Sequence, residues 1–135
     1  MYLLDTNVCI EIIKGRPGIV RKRFHLAVTE GTSLFVSSVS NFKLWYGVEK
    51  SDRQQINQML VESFLSGPLQ VLSFDEEDAK RAGEVRAMLE LQGKMIGPFD
   101  TLIAGPALRH ELILVTANTR EFSRVKGLEL ENWGK

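Results

Sequence analysis

Asp5 closes the apolar run Tyr2-Leu3-Leu4, and Asn118 stands two residues beyond Thr116, at the end of the run Ile113-Leu114-Val115-Thr116. Asp100 opens a stretch in which Ile103, Ala104, Ala107 and Leu108 recur at helical spacing. That spacing puts Asp100 on the inward face of a helix, at its positive end, where the dipole favours an ionised carboxyl. Carboxylates gathered in one place repel one another and must share protons or a cation. A hard divalent ion such as Mg²⁺ or Mn²⁺ suits such oxygen ligands. It would activate water and stabilise charge on a phosphoryl oxygen, which makes phosphodiester hydrolysis a natural chemistry. Each residue also has an ordinary structural reading: Asp5 and Asp100 as helix caps, Asn118 as a turn residue, and Glu121 as a solvated surface acid. Composition and periodicity alone do not decide between the two.

The elements that would position these residues alternate. Strands are read at Tyr2–Leu4, Ser33–Ser37, Leu69–Leu72, Ile113–Thr116 and, short, near Leu128–Leu130. A helix follows Asp5 from about Val8 to Lys14 and ends at Gly15; another runs from near Pro17 to Val28. Ser38 or Ser40 caps a helix to about Gly47, and Ser51 opens one that ends at Gly67-Pro68. Ser73 and Glu76 form a possible capping box for a helix ending at Gly93. The last long helix runs from Phe99 to about His110, with Pro106 in its interior at the expense of a hydrogen bond. Strands alternating with helices argue for a parallel sheet covered on both faces, with ligands beyond the carboxyl ends of the strands.

The chain has 135 residues, with 17 Lys+Arg balancing 17 Asp+Glu. This length fits a single domain over residues 1–135, and zero net charge excludes a histone-like polycation but not a local basic patch. The one cysteine, Cys9, permits neither an intrachain disulfide nor a zinc cluster. No apolar run reaches the ~20 residues of a membrane span. The amino terminus lacks a signal-peptide pattern, which with the cysteine usage points to a cytoplasmic protein.

Leu4-Asp5-Thr6-Asn7 resembles the opening motif of PIN-domain nucleases. Gly97-Pro98-Phe99-Asp100 with Ile103-Ala104 resembles the central motif of the VapC-type ribonuclease toxins of bacterial type II toxin–antitoxin systems. Thr116-Ala117-Asn118-Thr119-Arg120-Glu121-Phe122 resembles their closing motif, and Asn132-Trp133 fits as well. Ser37-Ser38-Val39 and Tyr46-Gly47 match the second motif region. The resemblance spans essentially the whole chain, with four weak pieces in order. It implies a three-layer α/β/α sandwich with a parallel central sheet and a Mg²⁺- or Mn²⁺-dependent endoribonuclease that leaves a 3′-hydroxyl and a 5′-phosphate. Its expected substrate is structured RNA, often transfer RNA, and its partner a VapB-type antitoxin that blocks the site. Operator DNA would be bound only through that antitoxin, and members commonly form homodimers. Carried over by motif, Asp5 and Asp100 are metal ligands, Asn118 holds the metal or its water, Glu121 is an auxiliary acid, and Thr6 and Thr116 support them.

One position departs from the pattern. The second motif normally places Glu just before Leu and the Tyr-Gly pair, and here Lys43 stands there. Val39, Phe42, Lys43 and Tyr46 share a helical face, so the site carboxylates are its expected partners, since a buried Lys is rare unless paired. An ammonium there removes a ligand and repels the ion, and reduced catalysis is expected; a Lys43 that snorkels to solvent would leave a partly working site. Glu49, six residues on, faces another side of the helix.

For phosphate contacts, Arg16, Arg21, Lys22 and Arg23 lie in a stretch without acids, and Arg120 lies near the site with Arg124 and Lys126. A solvated helix face is the ordinary alternative for the first group. Asp75 to Asp78 serve a helix start in this reading. The rival functional class is a catalytically inactive protein-binding module that pairs with an antitoxin for operator autoregulation. A receiver domain, which also gathers acids at strand ends, would need a different order of Asp and Lys.

Overall fold

In the computed structural model, residues 1–15 and 18–135 are described. Tyr2–Leu4 (β1) lies at the middle of a five-stranded parallel sheet. Leu34–Ser37 (β2) and Ile113–Val115 (β4) flank it, and Gln70–Leu72 (β3) and Leu130–Glu131 (β5) form the edges, in the order β3-β2-β1-β4-β5. Tyr2, Leu3 and Leu4 pair with Ile113, Leu114 and Val115. After β1 the chain builds outward through β2 and β3, then returns to place β4 on the other side. Strand order therefore reverses at the β1/β4 junction, where open α/β sheets form a crevice.

Alternate strand residues enter opposite layers. Leu4, Val36 and Val115 pack beneath Thr6–Lys14 (α1), Gly18–Thr29 (α2), Ser38–Lys50 (α3) and Gln54–Leu65 (α4). Leu3 and Leu114 pack beneath Glu76–Leu91 (α5), Pro98–Arg109 (α6) and Thr119–Phe122 (α7). This is the expected α/β/α sandwich. Near β5, Trp133 is buried edge-on against Tyr2 at 5.3 Å, and its Nε1 donates to Glu131 at 2.9 Å. At Gly105 a Cβ would meet Ala82 at 2.9 Å, so the α5–α6 contact requires glycine there. Pro106 is accommodated inside α6, and the first turn carrying Asp100 is intact, with Thr101 N–H donating to the Gly97 carbonyl at 3.1 Å.

Several boundaries differ from expectation. Ser37, rather than Ser38 or Ser40, caps α3 by accepting the Ser40 N–H at 3.0 Å. That helix continues through Gly47 to Lys50, and Ser51 ends it instead of opening the next. The α5 capping box is Asp75 with Asp78, not Ser73 with Glu76, because Asp78 also gains an ion pair with Arg109. The edge strand lies at Leu130–Glu131, two residues beyond its expected start. The short α7 was not expected. The expected helix start at Pro17 lies outside the described residues. No helix among the described residues is long and apolar enough to cross a membrane.

Candidate active site

The sheet delivers Asp5 to the β1/β4 crevice as the residue after β1, and α1 starts on it. One carboxylate oxygen accepts the Thr6 N–H at 2.8 Å, and the other accepts the Thr116 hydroxyl at 2.8 Å. Thr116, fully buried at the end of β4, also accepts the Asn118 N–H at 3.0 Å. Thr6 in turn donates its hydroxyl to the buried Ser40 Oγ at 2.8 Å. A line of hydroxyls thus ties β4 and α1 to the first turn of α3 and fixes the Asp5 carboxylate. Each of its oxygens has a second lone pair left for a ligand.

Asp100 reaches the same crevice from the third position of α6, after Gly97 and Pro98 have turned the chain into the helix. Glu121 arrives from α7. Its Oε1 accepts the Gly97 N–H at 2.7 Å and its Oε2 accepts the Asn118 amide at 2.8 Å. The Asn118 amide first, and then the Gly97 N–H, hold the Glu121 carboxyl below its ordinary range. Asp100 behaves in the opposite way. Burial, followed by the charges of Asp5 and Glu121, pushes its carboxyl up to about 6. Lys43 pulls it down, but the attraction is outweighed.

The half-buried Lys43 does not close on the acids as expected. Among the described residues its amine forms no ion pair with a carboxylate. It lies 5.4 Å from the centre of the Phe99 ring, where the ring face attracts the cation. Phe42 and Tyr46, expected to share its face, are exposed and not core.

The basic residues disperse. Arg21 and Lys22 are exposed on α2. The Arg21 guanidinium lies against Gly15, where a Cβ would meet Nη1 at 2.5 Å. Gly15 ends α1, so Arg21 sits a helix length, about 13 Å for nine residues, from Asp5. Arg23 is engaged with Glu131 at 3.3 Å and lies over the Trp133 ring. Arg16 lies outside the described residues. Arg120 is exposed on α7, beside Glu121, and Arg124 donates to the Met95 carbonyl at 2.8 Å.

Sequence reasoning missed the Ser40 hydroxyl and the Gly97 N–H. Gly97 had a signal, since it stands beside Pro98 at the motif's start. Ser40 had none beyond lying three residues after Ser37.

The PIN domain family matches residues 2–128. The chain belongs to the VapC-type PIN-domain family. It is 46% identical to the tRNA(fMet)-specific endonuclease VapC of Shigella flexneri, over 98% of this chain and 97% of that protein. In structure it resembles a VapC chain seen in VapBC2 of Rickettsia felis bound to a promoter DNA fragment, with TM-score 0.91, 36% identity and 98% of each chain covered. The Salmonella typhimurium VapBC complex bound to DNA gives TM-score 0.90 and 41% identity, over 98% of this chain and 97% of that one.

Among the described residues no group of three or more His, Cys, Asp or Glu is arranged to hold a metal. The donor chemistry nevertheless fits a small hard cation. Asp5 and Asp100 bring oxygen ligands into a crevice with uncancelled negative charge. Mg²⁺ often takes only one or two carboxylates and keeps several waters. In this VapC-type site, Lys43 stands where the resemblance places a third acid.

Proposed function

We propose that this chain is a Mg²⁺- or Mn²⁺-dependent endoribonuclease toxin, a single PIN domain over residues 1–135, with Asp5 and Asp100 as the protein's metal ligands. The observation that carries the reading is the convergence of Asp5, Asp100 and Glu121, from three remote segments, on the β1/β4 crevice. When bound, the ion would supply Lewis acidity at a phosphoryl oxygen and a more acidic water. The residues do the placing. Thr6 and Thr116 orient Asp5, and Gly97 and Asn118 orient Glu121. Lys43 contributes charge without Lewis acidity, and activity is impaired relative to a chain with Glu there.

A transfer RNA substrate is supported by the name of the Shigella relative. A VapB-type antitoxin as partner, operator DNA reached only through it, and a homodimer in the cytoplasm complete the proposal; the VapBC complexes on promoter DNA support the first two. A largely apolar groove lined by Ile10, Ile13, Leu44, Val48, Leu60 and Val61, with Lys14, Lys43 and Asn57 also in its wall, offers a place for a partner helix.

The second reading, an inactive module that only binds an antitoxin, is favoured by Lys43 itself. Cleavage of tRNA(fMet) and of a total tRNA pool with Mg²⁺ or Mn²⁺ separates the two. Lys43→Glu is expected to raise the cleavage rate about 100-fold, and adding Asp100→Asn to abolish it. If neither this chain nor Lys43→Glu cuts any RNA, the nuclease reading fails.

A further inference from the structure

Between α5 and the segment that follows α7 lies a pocket of about 340 Å³. Its apolar part is made by Val85, Leu89 and Val125, all buried in one cluster, with Leu108 packed against them. Met88 also lines it and is 49% exposed. Three cations, Arg81, Arg124 and Lys126, and one acid, Glu84, complete the wall. It shares no lining residue with the acids of the β1/β4 crevice.

The cations of this wall are poorly matched within the chain. Among the described residues Arg124 and Lys126 form no ion pair. Arg124 gives one nitrogen to the Met95 carbonyl at 2.8 Å, which leaves further donors on its guanidinium. Arg81 reaches Glu84 only at 3.8 Å, in an exposed pair of the kind that is worth little. Three cations against one acid leave the wall with two positive charges beside an apolar surface. A phosphomonoester carries about two negative charges at pH 7, whereas each phosphodiester of an RNA chain carries one. Inorganic phosphate would meet the cations and leave the apolar lining in water. A phosphate joined to a nucleoside uses both: guanidinium planes stack on flat rings, and a thioether such as that of Met88 packs well against an aromatic edge. The volume falls in the range of small-ligand pockets, roughly 300 to 1,000 Å³. A second copy of this chain is the poorer occupant, because a two-fold contact here would set the same positive surface against itself.

We propose that this pocket binds a nucleoside monophosphate, with its phosphate held by Arg81, Arg124 and Lys126 and its base laid on Val85, Met88 and Val125. The site is distinct from the crevice and needs no metal, so it stands apart from the nuclease reading.

The test is isothermal titration calorimetry of the whole chain with AMP, GMP, CMP and UMP, and with the matching nucleosides and inorganic phosphate as the two halves. EDTA is present so that no metal–nucleotide complex enters the crevice. At least one mononucleotide is expected to bind about tenfold more tightly than either of its halves. Lys126→Ala should weaken that binding about tenfold, and Lys126→Arg should recover most of the loss. Met88→Glu, which sets a negative charge where the base and phosphate lie, should weaken it as well, and Asp100→Asn should leave it unchanged. Circular dichroism checks that each variant is folded. No binding of any mononucleotide, a mononucleotide no tighter than inorganic phosphate, or parental affinity in Lys126→Ala or Met88→Glu overturns the proposal. A loss in Asp100→Asn also overturns it, by placing the nucleotide in the crevice. A short 5′-phosphorylated oligoribonucleotide is titrated alongside; if it binds more tightly than every mononucleotide and is lost in Lys126→Ala, the pocket takes an RNA end and the free-nucleotide assignment fails.

Discussion

Two regions of the molecule gather acids, and they handle the charge in opposite ways. At the start of α5, Asp75 and the wholly buried Asp78 exchange capping hydrogen bonds of 3.0 Å. Both accept from Arg109 Nη1, at 2.6 and 3.1 Å. The guanidinium holds the Asp75 carboxyl below its ordinary range. At the β1/β4 crevice Lys43 rests on an aromatic ring and Arg124, which favours the charged form of Glu121, donates to the Met95 carbonyl; among the described residues neither pairs with an acid, and the Asp100 carboxyl is pushed up. The first cluster is bonded to a guanidinium supplied by the fold. The second is left with unmet negative charge, as expected of a site waiting for a ligand. Acid count does not tell them apart; the presence or absence of a bonded counter-charge does.

The comparison breaks most visibly at Arg109. Arg109→Ala leaves the buried Asp78 without its guanidinium, with His110 Nε2 at 3.7 Å as its remaining basic neighbour, and losing one partner of a buried pair is destabilising. Arg109 is about one-third exposed and Asp78 keeps the Asp75 N–H, so a clear fall in the urea midpoint at pH 7, short of complete unfolding, is expected. An unchanged urea midpoint would mean that the α5 cluster is no better compensated than the crevice. RNA cleavage by Lys43→Glu should be unchanged by the substitution as long as the protein remains folded.

Thr116 sharpens the other side. Its buried hydroxyl both donates to Asp5 and accepts from the Asn118 N–H. Thr116→Val keeps the shape and strands both partners, at about 2 kcal/mol of stability. In the Lys43→Glu background it should also slow cleavage about tenfold by loosening Asp5. Stability loss without an effect on cleavage would place Thr116 in the scaffold alone.

Much of this was legible in the sequence because short, wholly apolar runs mark buried parallel strands. Asp5 directly ends such a run, and Asp100 starts a helix with an apolar stripe, so both could be placed at one edge of the sheet. The topology that sets β1 beside β4 was implied by alternation of elements and by family resemblance, not by any residue. Choices between equally good local signals were not legible. Ser73-x-x-Glu76 and Asp75-x-x-Asp78 both fit a capping box, and the winner is decided by Arg109, more than thirty residues away. The direction taken by Lys43 was equally hidden, since the attraction of the Phe99 face depends on where α6 meets α3. Phe42 and Tyr46 share a helical face with Val39 and Lys43 by spacing, yet both are exposed.

The smallest effect is the most diagnostic of the two charge regimes. The folded-state carboxyl of Asp100 is raised to about 6, against about 3.9 for an unfolded Asp. Between these values the folded chain binds more protons than the unfolded one, so stability is lost as pH rises from about 4 through 6 and the penalty is complete above that range. A rise from about 3.9 to about 6 corresponds to about 3 kcal/mol, which solvent screening at a partly exposed group reduces to about 1 kcal/mol. Asp100→Asn removes the charge and should stabilise the protein by about that amount at pH 8, with the gain vanishing near pH 4. Adding Mg²⁺ should stabilise the parent chain and not the variant, because only the parent offers the carboxylate pair. A variant that is less stable than its parent at pH 8 would show that Asp100 is held as a structural acid, like Asp78, and the contrast between the two clusters would disappear.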